Sequence, residues 1–235
     1  AVERNPMPAR LRSPVSDMLD HLLPELPFLK RLALANQWLF APLIAREMEA
    51  SPASSANLRT TLAPTIIKGG VKVNVVPQET SAVFNVRLAP GDNLDDALDH
   101  IAKITGAESE PAASRGGDRD VPVDLIVRQA EGRAWQAAPV SDLDGWPFKL
   151  LMQTIGQMFP DVARAPGLVL GATDSRHYRE LTDNTFRFTP LRLSAEDLSR
   201  IHGTNERISI ANYTEIIRFY GQLFRNLGEH DAPAD

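Results

Sequence analysis

Five histidines are the side chains of this 235-residue chain best suited to bind a metal or to transfer protons, because the sequence contains no cysteine. The segment "SRIHGTNERISI" places His202 between an apolar isoleucine and a glycine, in a loop before a predicted helix. His177 follows "ATDSR" after a predicted strand. The other three lie on charged helix faces or in the polar C-terminal tail, where exposure to solvent explains them: His21, His100 and His230.

Complete local motifs for metal binding or nucleophilic catalysis are absent from the sequence. It has no H-x-D, no H-x-x-x-H and no adjacent glutamate pair, so no metal site can be read from one segment. A hydrolase based on Ser175 and His177 has no G-x-S-x-G motif to support it. "KGGVKVN" precedes a strand rather than a helix and so lacks the geometry of a phosphate loop. The residues alone therefore point to two loops, 171–177 and 202–207.

Composition and charge narrow the class of protein. Hydrophobic residues make up 43% of the chain and charged residues 23%, as in globular proteins with a substantial core. The net charge of −5 argues against nucleic acid as a partner. The longest apolar stretch, "RLALANQWLFAPLIA", contains an arginine, two amides and a proline, and it is too short and too polar for a membrane span. We therefore expect no nucleic-acid partner and no membrane-spanning segment.

The first part of the chain changes from a helical to a strand-like pattern. Apolar residues at three- and four-residue spacing predict helices over 15–50, and prolines such as Pro42 should break or kink them. A two-residue period then predicts two strands that are joined by a turn near 77–79. The first should carry Val71, Val73 and Val75 on one face, and the second Ala82, Phe84, Val86 and Leu88.

A helix and a further strand complete this region. Asp92 is a candidate cap for a helix whose apolar stripe runs from Leu94 to Ile104. The segment "VPVDLIVRQ" (121–129) predicts a strand. The order helix, strand, strand, helix, strand suits an α+β layer with an antiparallel sheet.

The pattern restarts near residue 134, which predicts a second region with its own core. A helix follows Asp142, and "PGLVLG" and "TFRFTPLRL" predict two strands. Ser209 should cap a final helix, whose predicted apolar stripe is Ile216, Ile217, Tyr220, Leu223, Phe224 and Leu227. The boundary between the two regions is predicted near residue 132.

Four segments occur in a characteristic order: "NQWLFAPLIAREME", "GGVKVNVVPQETSAVFNVRLAPGD", "GATDSRHY" and "FRFTPLRLSAEDLSRIHGTNERISI". In combination they resemble the dinuclear-zinc metallopeptidase and aminoacylase family, in the branch of carboxypeptidase S and the N-acyl-amino-acid hydrolases. The resemblance covers nearly the whole chain. Each segment alone is a weak signal, whereas the ordered combination is specific.

The resemblance implies an α/β fold with an α+β lid, in which a lid (dimerisation) domain is inserted into an α/β catalytic domain. Residues 1–132 resemble the lid, with its antiparallel sheet but without its first strand. Residues 133–235 resemble the C-terminal part of the α/β zinc-peptidase catalytic domain. We expect the other half of the catalytic domain, with its H-x-D and glutamate-pair motifs, to lie outside this chain. Homodimerisation through the lid is also implied.

The resemblance also assigns candidate site residues. His202 matches the last zinc ligand of the family. Asn74 and Arg87 match lid residues that approach the substrate from the neighbouring subunit, and strand alternation would direct both away from the core face of the sheet. The loop residues that match the substrate-binding segment are Gly171, Thr173, Asp174 and Arg176. A solvated sheet face is the alternative explanation of Asn74 and Arg87, and His177 matches no general role in the family.

The implied reaction is hydrolysis of an amide bond in a peptide or an N-acyl amino acid. Two zinc ions would activate a shared water, and a glutamate would accept its proton. That glutamate and most zinc ligands are expected outside this chain, so we predict that the chain alone is inactive and does not retain zinc. The alternative is a non-catalytic module whose function is dimerisation or interaction.

Overall fold

Residues 2–109, 126–127 and 135–230 are described in the computed structural model of this chain. Two units make up the chain, Ala1–Pro139 and Val140–Asp235. The α-helices of the first unit are α1 (Val15–Leu22), α2 (Phe28–Ala35), α3 (Gln37–Glu49), α4 (Pro52–Ser55) and α5 (Leu94–Thr105). Its strands are β1 (Thr61–Gly69), β2 (Thr80–Arg87), β3 (Glu108–Ser109) and β4 (Ile126–Val127). The second unit contains α6 (Trp146–Met158), α7 (Ala195–Leu198) and α8 (Ile210–His230).

The predicted short helices between residues 15 and 50 are confirmed, with one difference at Pro42. This proline lies inside α3 and does not end it. A proline removes a single backbone hydrogen bond, and the helix is still anchored two residues further on by Ile44, which is buried. Pro24 and Pro27 instead separate α1 from α2, as their spacing predicts.

Strands β1 and β2 form an antiparallel hairpin whose position differs from the prediction. β1 pairs with β2 from Thr61 opposite Arg87 to Gly69 opposite Thr80. The strand predicted over 71–75 is wrong, because these residues lie in the connection between β1 and β2. Gly70 has a φ of 76°, which ends the strand, and the three alternating valines of the connection are all exposed. The alternation of these valines in the sequence therefore does not correspond to a buried face of a sheet.

Helix α5 carries the predicted apolar stripe but not the predicted cap. Its side chains Ala97 and Ile101 are buried. The cap is Asn93, whose side chain accepts a hydrogen bond from the backbone N–H of Asp96 at 2.8 Å. The prediction that Asp92 caps this helix is wrong, because its carboxylate is used elsewhere.

Asp92 instead connects three segments of the first unit. Its carboxylate accepts hydrogen bonds from Arg12 Nη2 at 2.7 Å and from Thr60 Oγ1 at 2.6 Å. The Thr60 hydroxyl in turn accepts a hydrogen bond from the backbone N–H of Ala89 at 2.9 Å. Burial acts to raise the pKa of Asp92, but the hydrogen bonds and the positive charges of Arg12 and Arg10 outweigh it and lower that pKa.

Replacing Asp92 with asparagine is expected to lower the free energy of unfolding by about 1–3 kcal/mol at pH 7, because a charged hydrogen-bond acceptor is lost. The folded-state pKa of Asp92 lies below the unfolded value, so its contribution is complete above about pH 4 and disappears as the pH falls through the folded pKa. Urea denaturation of the wild type and Asp92→Asn at several pH values measures this difference. Asp99→Asn, an exposed change on the following helix α5, is the control. A difference that grows on acidification would contradict the account.

The core of the second unit lies between α6 and α8. Phe219, fully buried on α8, contacts Phe188 with ring centroids 5.2 Å apart and Phe159 with centroids 6.4 Å apart. Asn226, also buried on α8, donates a hydrogen bond to Thr154 Oγ1 on α6 at 2.7 Å. Apolar packing and a satisfied polar contact therefore join the two helices.

The two strands predicted in the second unit are wrong: the structure assigns no strand to residues 166–170 or 185–193. Within the described residues, side chains hold the second of these segments against α8. Asn212, buried on α8, accepts a hydrogen bond from the backbone N–H of Arg192 and donates one to the carbonyl of Pro190, both at 2.9 Å. An extended sequence pattern alone does not make a strand, because a strand needs a neighbouring backbone to pair with.

Two further expectations concern helices. The predicted cap of the last helix is confirmed, since Ser209 Oγ accepts a hydrogen bond from the backbone N–H of Asn212 at 3.1 Å. Among the described residues, no helix is both long enough and apolar enough to cross a membrane. The strand predicted over 121–129 is described only at Ile126–Val127, and its other residues lie outside the described part of the chain. There it pairs in parallel with β3, so the expectation that it joins an antiparallel sheet is wrong.

Candidate functional site

The loop that contains four of the candidate substrate residues is built around Thr173. This residue caps a short 3₁₀ helix, Asp174–Tyr178, by accepting a hydrogen bond from the backbone N–H of Ser175 at 3.3 Å. The hydroxyls of Thr173 and Ser175 are 2.6 Å apart. Thr173 is therefore positioned by its own backbone turn and keeps a hydroxyl on the exposed side of the loop.

Arg187 joins this loop from the extended segment that follows it. Its Nε donates to Ser175 Oγ at 2.7 Å and to Thr173 Oγ1 at 3.2 Å. Sequence reasoning missed Arg187, although its position between two phenylalanines in "TFRFTP" was a usable signal. Phe186 and Phe188 are half-buried while Arg187 is exposed, so the alternation brings a cation to the loop surface.

The other candidates of this loop are exposed. No atom lies within 4 Å of the point where a Cβ on Gly171 would stand, so the backbone there is open to an approaching ligand. Arg176 Nε donates a hydrogen bond to His177 Nε2 at 3.2 Å. Together with Arg187, loop 171–178 thus presents hydroxyls, an open backbone and two arginines, a combination suited to binding a carboxylate.

His202 lies in a fixed turn between α7 and α8. Its φ is 58°, in the left-handed region, and its side chain is exposed. The next residue must be small, because a Cβ on Gly203 would stand 3.0 Å from the carbonyl oxygen of Ser199. The backbone N–H of Gly203 donates to the carbonyl of Arg200 at 2.8 Å. The turn therefore sets the backbone conformation at His202, and the imidazole of this residue is exposed.

An ion pair supports the start of this turn. Arg200 Nη1 lies 2.5 Å from Asp197 Oδ1. Asp197 also completes a capping box with Ser194 at the start of α7. Hydrogen bonds from the side chain and the backbone N–H of Ser194, together with the Arg200 charge, hold the pKa of Asp197 below its ordinary value.

The described residues do not by themselves make a metal centre. Within 2–109, 126–127 and 135–230, no three histidine, aspartate or glutamate side chains are grouped to hold a metal ion. A catalytic zinc site ordinarily takes three protein ligands. His202 supplies one exposed nitrogen, so the donor set available here does not fit a complete zinc site.

The two lid candidates belong to the first unit. Asn74 is exposed in the connection between β1 and β2, so the expectation that strand alternation orients it is wrong. Arg87 is the last residue of β2, opposite Thr61. It is exposed while Phe84 and Val86 are half-buried, so its predicted orientation away from their face is confirmed.

Comparison with known proteins shows similarity to a peptidase domain and to hydrolases. The M20_dimer family model, described as the peptidase dimerisation domain, matches residues 15–113. The probable carboxypeptidase S-like 2 of Dictyostelium discoideum is 38% identical over 96% of this chain and 40% of its own length. The N-fatty-acyl-amino acid synthase/hydrolases PM20D1 of Xenopus tropicalis and Homo sapiens are each 36% identical over 99% of this chain, and over 42% and 44% of their own lengths. No solved structure matches.

The match to each of these relatives covers a similar part of this chain and of the relative. The chain matches along almost its whole length but spans about two fifths of the curated relatives. The matched dimerisation domain lies in the first part of the chain, and the similarity continues through the second. The chain therefore belongs to the M20 peptidase family, in the branch of the carboxypeptidase S-like proteins and the N-fatty-acyl-amino acid hydrolases.

Proposed function

We propose that this chain supplies the lid domain and the C-terminal part of the catalytic domain of a zinc-dependent amide hydrolase. The observation that carries the proposal is the similarity to hydrolases over 96–99% of the chain. Residues 1–132 would form the lid and residues 133–235 the catalytic part, with homodimerisation through the lid. The domain name of the matched family model supports the dimer.

His202 is proposed as one of the metal ligands of the complete enzyme. Its exposed imidazole on a fixed turn supports this role, because a ligand held by its backbone needs little rearrangement on binding. M20 peptidases are in general metal-dependent. The remaining ligands and the general base would come from residues outside this chain, so the residues of this chain carry out no catalytic step alone.

The substrate proposal follows from the names of the relatives. A carboxypeptidase and an N-fatty-acyl-amino acid hydrolase share one chemistry: the amide nitrogen belongs to an amino acid with a free carboxylate. We assign that carboxylate to loop 171–178, where Arg176 would bind it, Thr173 and Asp174 would orient the substrate, and Gly171 would admit its backbone. Asn74 and Arg87 would complete the site from the lid of the second subunit.

Arg187 has a positioning role in this proposal. It donates to both hydroxyls of the loop, and it keeps a positive charge beside the proposed carboxylate site. Replacing it would therefore disturb the loop as well as its charge.

The alternative is a non-catalytic dimerisation module. It is favoured by the match of residues 15–113 to the peptidase dimerisation domain. The two proposals differ in what happens when the rest of the enzyme is supplied.

A complementation assay separates them. The chain is assayed with zinc on an N-acyl amino acid and a dipeptide, alone and co-expressed with the part of Dictyostelium carboxypeptidase S-like 2 that it does not match. We expect no turnover alone and amide hydrolysis after co-expression, with the activity lost in Arg176→Ala and retained in Arg179→Ala. A stable complex without turnover in any combination would favour the dimerisation module. Full turnover by the chain alone would contradict the proposal.

A further inference from the structure

Helix α8 exposes a row of large apolar side chains along most of its length. Four of them are between 57% and 87% exposed: Ile210, Tyr213, Ile217 and Phe224. At about 100° per residue, all four lie within an arc of about 60° around the helix axis. We call these four residues the α8 stripe. Single exposed apolar residues are ordinary on a protein surface, but a row of four on one helix requires an explanation.

The α8 stripe lies opposite the side of the helix that packs within the second unit. Phe219, at the centre of the buried side, lies about 180° around the axis from Ile210, and the buried Asn212 and Asn226 lie within about 20° of Phe219. Helix α8 therefore has a buried side and an exposed apolar side that face in opposite directions. A helix that is apolar on opposite sides is typical of the interior of a larger domain.

The charged side chains of α8 lie outside the stripe. Measured from Ile210, the stripe extends in one direction around the axis. The charged residues lie in the other direction, from about 60° to about 140°: Arg225, Arg218, Glu229 and Glu215. The α8 stripe therefore suits an apolar protein surface and offers nothing to an ionic ligand.

A glycine in the middle of α8 lies beside the stripe. Gly221 is about 20° from Ile210 around the axis, and no atom of the described residues lies within 4 Å of the point where its Cβ would stand. A glycine inside a helix costs about 1 kcal/mol relative to alanine. The described part of the chain gives no steric reason for that cost, whereas the close approach of another backbone would give one.

Two segments of the second unit have the sequence pattern of strands, but the structure assigns a strand to neither: 166–170 and 185–193. Val169 in the first and Leu191 in the second are each 41% exposed. A strand forms only where a neighbouring backbone pairs with it. The pattern of these segments therefore points to the same conclusion as the α8 stripe, that the second unit packs against further chain.

We propose that the α8 stripe packs against an apolar surface of the rest of the catalytic domain. This inference rests on the proposed function and names the partner of the second unit. Carboxypeptidase S-like 2 and the Xenopus PM20D1 match 96% and 99% of this chain but only 40% and 42% of their own lengths, so more than half of each is available as the cover. A second copy fits the stripe less well, because the matched dimerisation domain, residues 15–113, lies in the first unit.

Co-purification tests the inference. The whole chain is co-expressed with a tagged form of the part of Dictyostelium carboxypeptidase S-like 2 that it does not match. The amount of chain retained and the amide hydrolysis are measured on the same samples. We expect the wild type to be retained and Ile217→Glu/Phe224→Glu to be retained at least about tenfold less, because two carboxylates would be buried without partners. Gly221→Leu should also weaken retention, since it adds apolar surface but blocks a close approach.

The matched control is Leu29→Glu/Leu43→Glu, which places the same charges at apolar positions of the first unit that are 77% and 60% exposed. It should be retained as the wild type is, and circular dichroism checks that each variant folds. Equal loss in this control would overturn the inference in favour of non-specific adhesion. A stripe variant that changes the oligomeric state of the chain alone, measured by analytical ultracentrifugation, would also overturn it and assign the stripe to a second copy.

The two readouts separate this inference from the proposed function. Retention and hydrolysis that survive in the α8 variants would overturn the inference and leave the proposed function standing. Retention that depends on the stripe, without hydrolysis in any sample, would support the inference and contradict the proposed function. A wild-type chain that is neither retained nor active would contradict both.

Discussion

Phe219→Ala is expected to lower the free energy of unfolding of the second unit by about 3–5 kcal/mol, the largest stability effect in this account. The phenylalanine is fully buried and contacts rings from the end of α6, the segment before Arg192, and its own helix. Truncation would remove its apolar contacts and leave a cavity between elements that the side chain now joins. Urea denaturation followed by far-ultraviolet circular dichroism measures the loss.

Phe224→Ala is the matched control, since the same residue type on the same helix is 68% exposed. We expect it to change the free energy of unfolding by no more than about 0.5 kcal/mol. If both variants lost equal stability, the burial assigned to the two faces of α8 would be wrong.

His202→Ala in the complete enzyme proposed above is expected to reduce kcat/KM for an N-acyl amino acid by roughly 10³-fold, equivalent to about 4 kcal/mol of transition-state stabilisation. The physical reason is the loss of one of the few protein ligands that a catalytic metal site uses. Steady-state kinetics measure the effect, and elemental analysis of the same samples measures the loss of bound metal.

The control for this variant is His21→Ala. His21 is exposed on α1, where its Nδ1 lies 2.8 Å from the carbonyl oxygen of Asp17. Activity and metal content should stay near the wild-type values. Wild-type kinetics and metal content in His202→Ala would remove His202 from the proposed ligand set.

Sequence reasoning succeeded where local chemistry decides the structure. The stripe of α5, the cap Ser209 and the breaks at Pro24 and Pro27 all depend on residues close together in sequence. The family was also predictable, because its motifs occur in an ordered combination that few other proteins share.

The errors arose where distant parts of the chain decide the outcome. Asp92 was a plausible cap, but Arg12 and Thr60, far away in sequence, bind its carboxylate. On α8, four members of the predicted stripe are half-buried, but Ile217 and Phe224 are exposed. The buried side is centred on Phe219, with Asn212 and Asn226 seven residues to either side.

Those two asparagines explain why hydrophobic periodicity misplaced the buried face of α8. Both side chains are buried because each finds hydrogen-bond partners, Asn212 on the extended segment at Pro190 and Arg192, and Asn226 on α6. A pattern of apolar residues alone does not predict a buried amide side chain whose hydrogen-bond partners lie far away in sequence. For the same reason the sequence pattern did not predict the role of Arg187, which depends on a contact with loop 171–178.

The central claim is that this chain carries only part of a metal site, and zinc content per chain tests it most directly. The purified chain is loaded with zinc, dialysed and measured by elemental analysis, with His202→Ala in parallel. We expect far less than one zinc ion per chain in both samples, because a single exposed histidine does not retain the metal. One or two ions held through dialysis, and lost in His202→Ala, would show that the chain completes the site itself and would contradict the account.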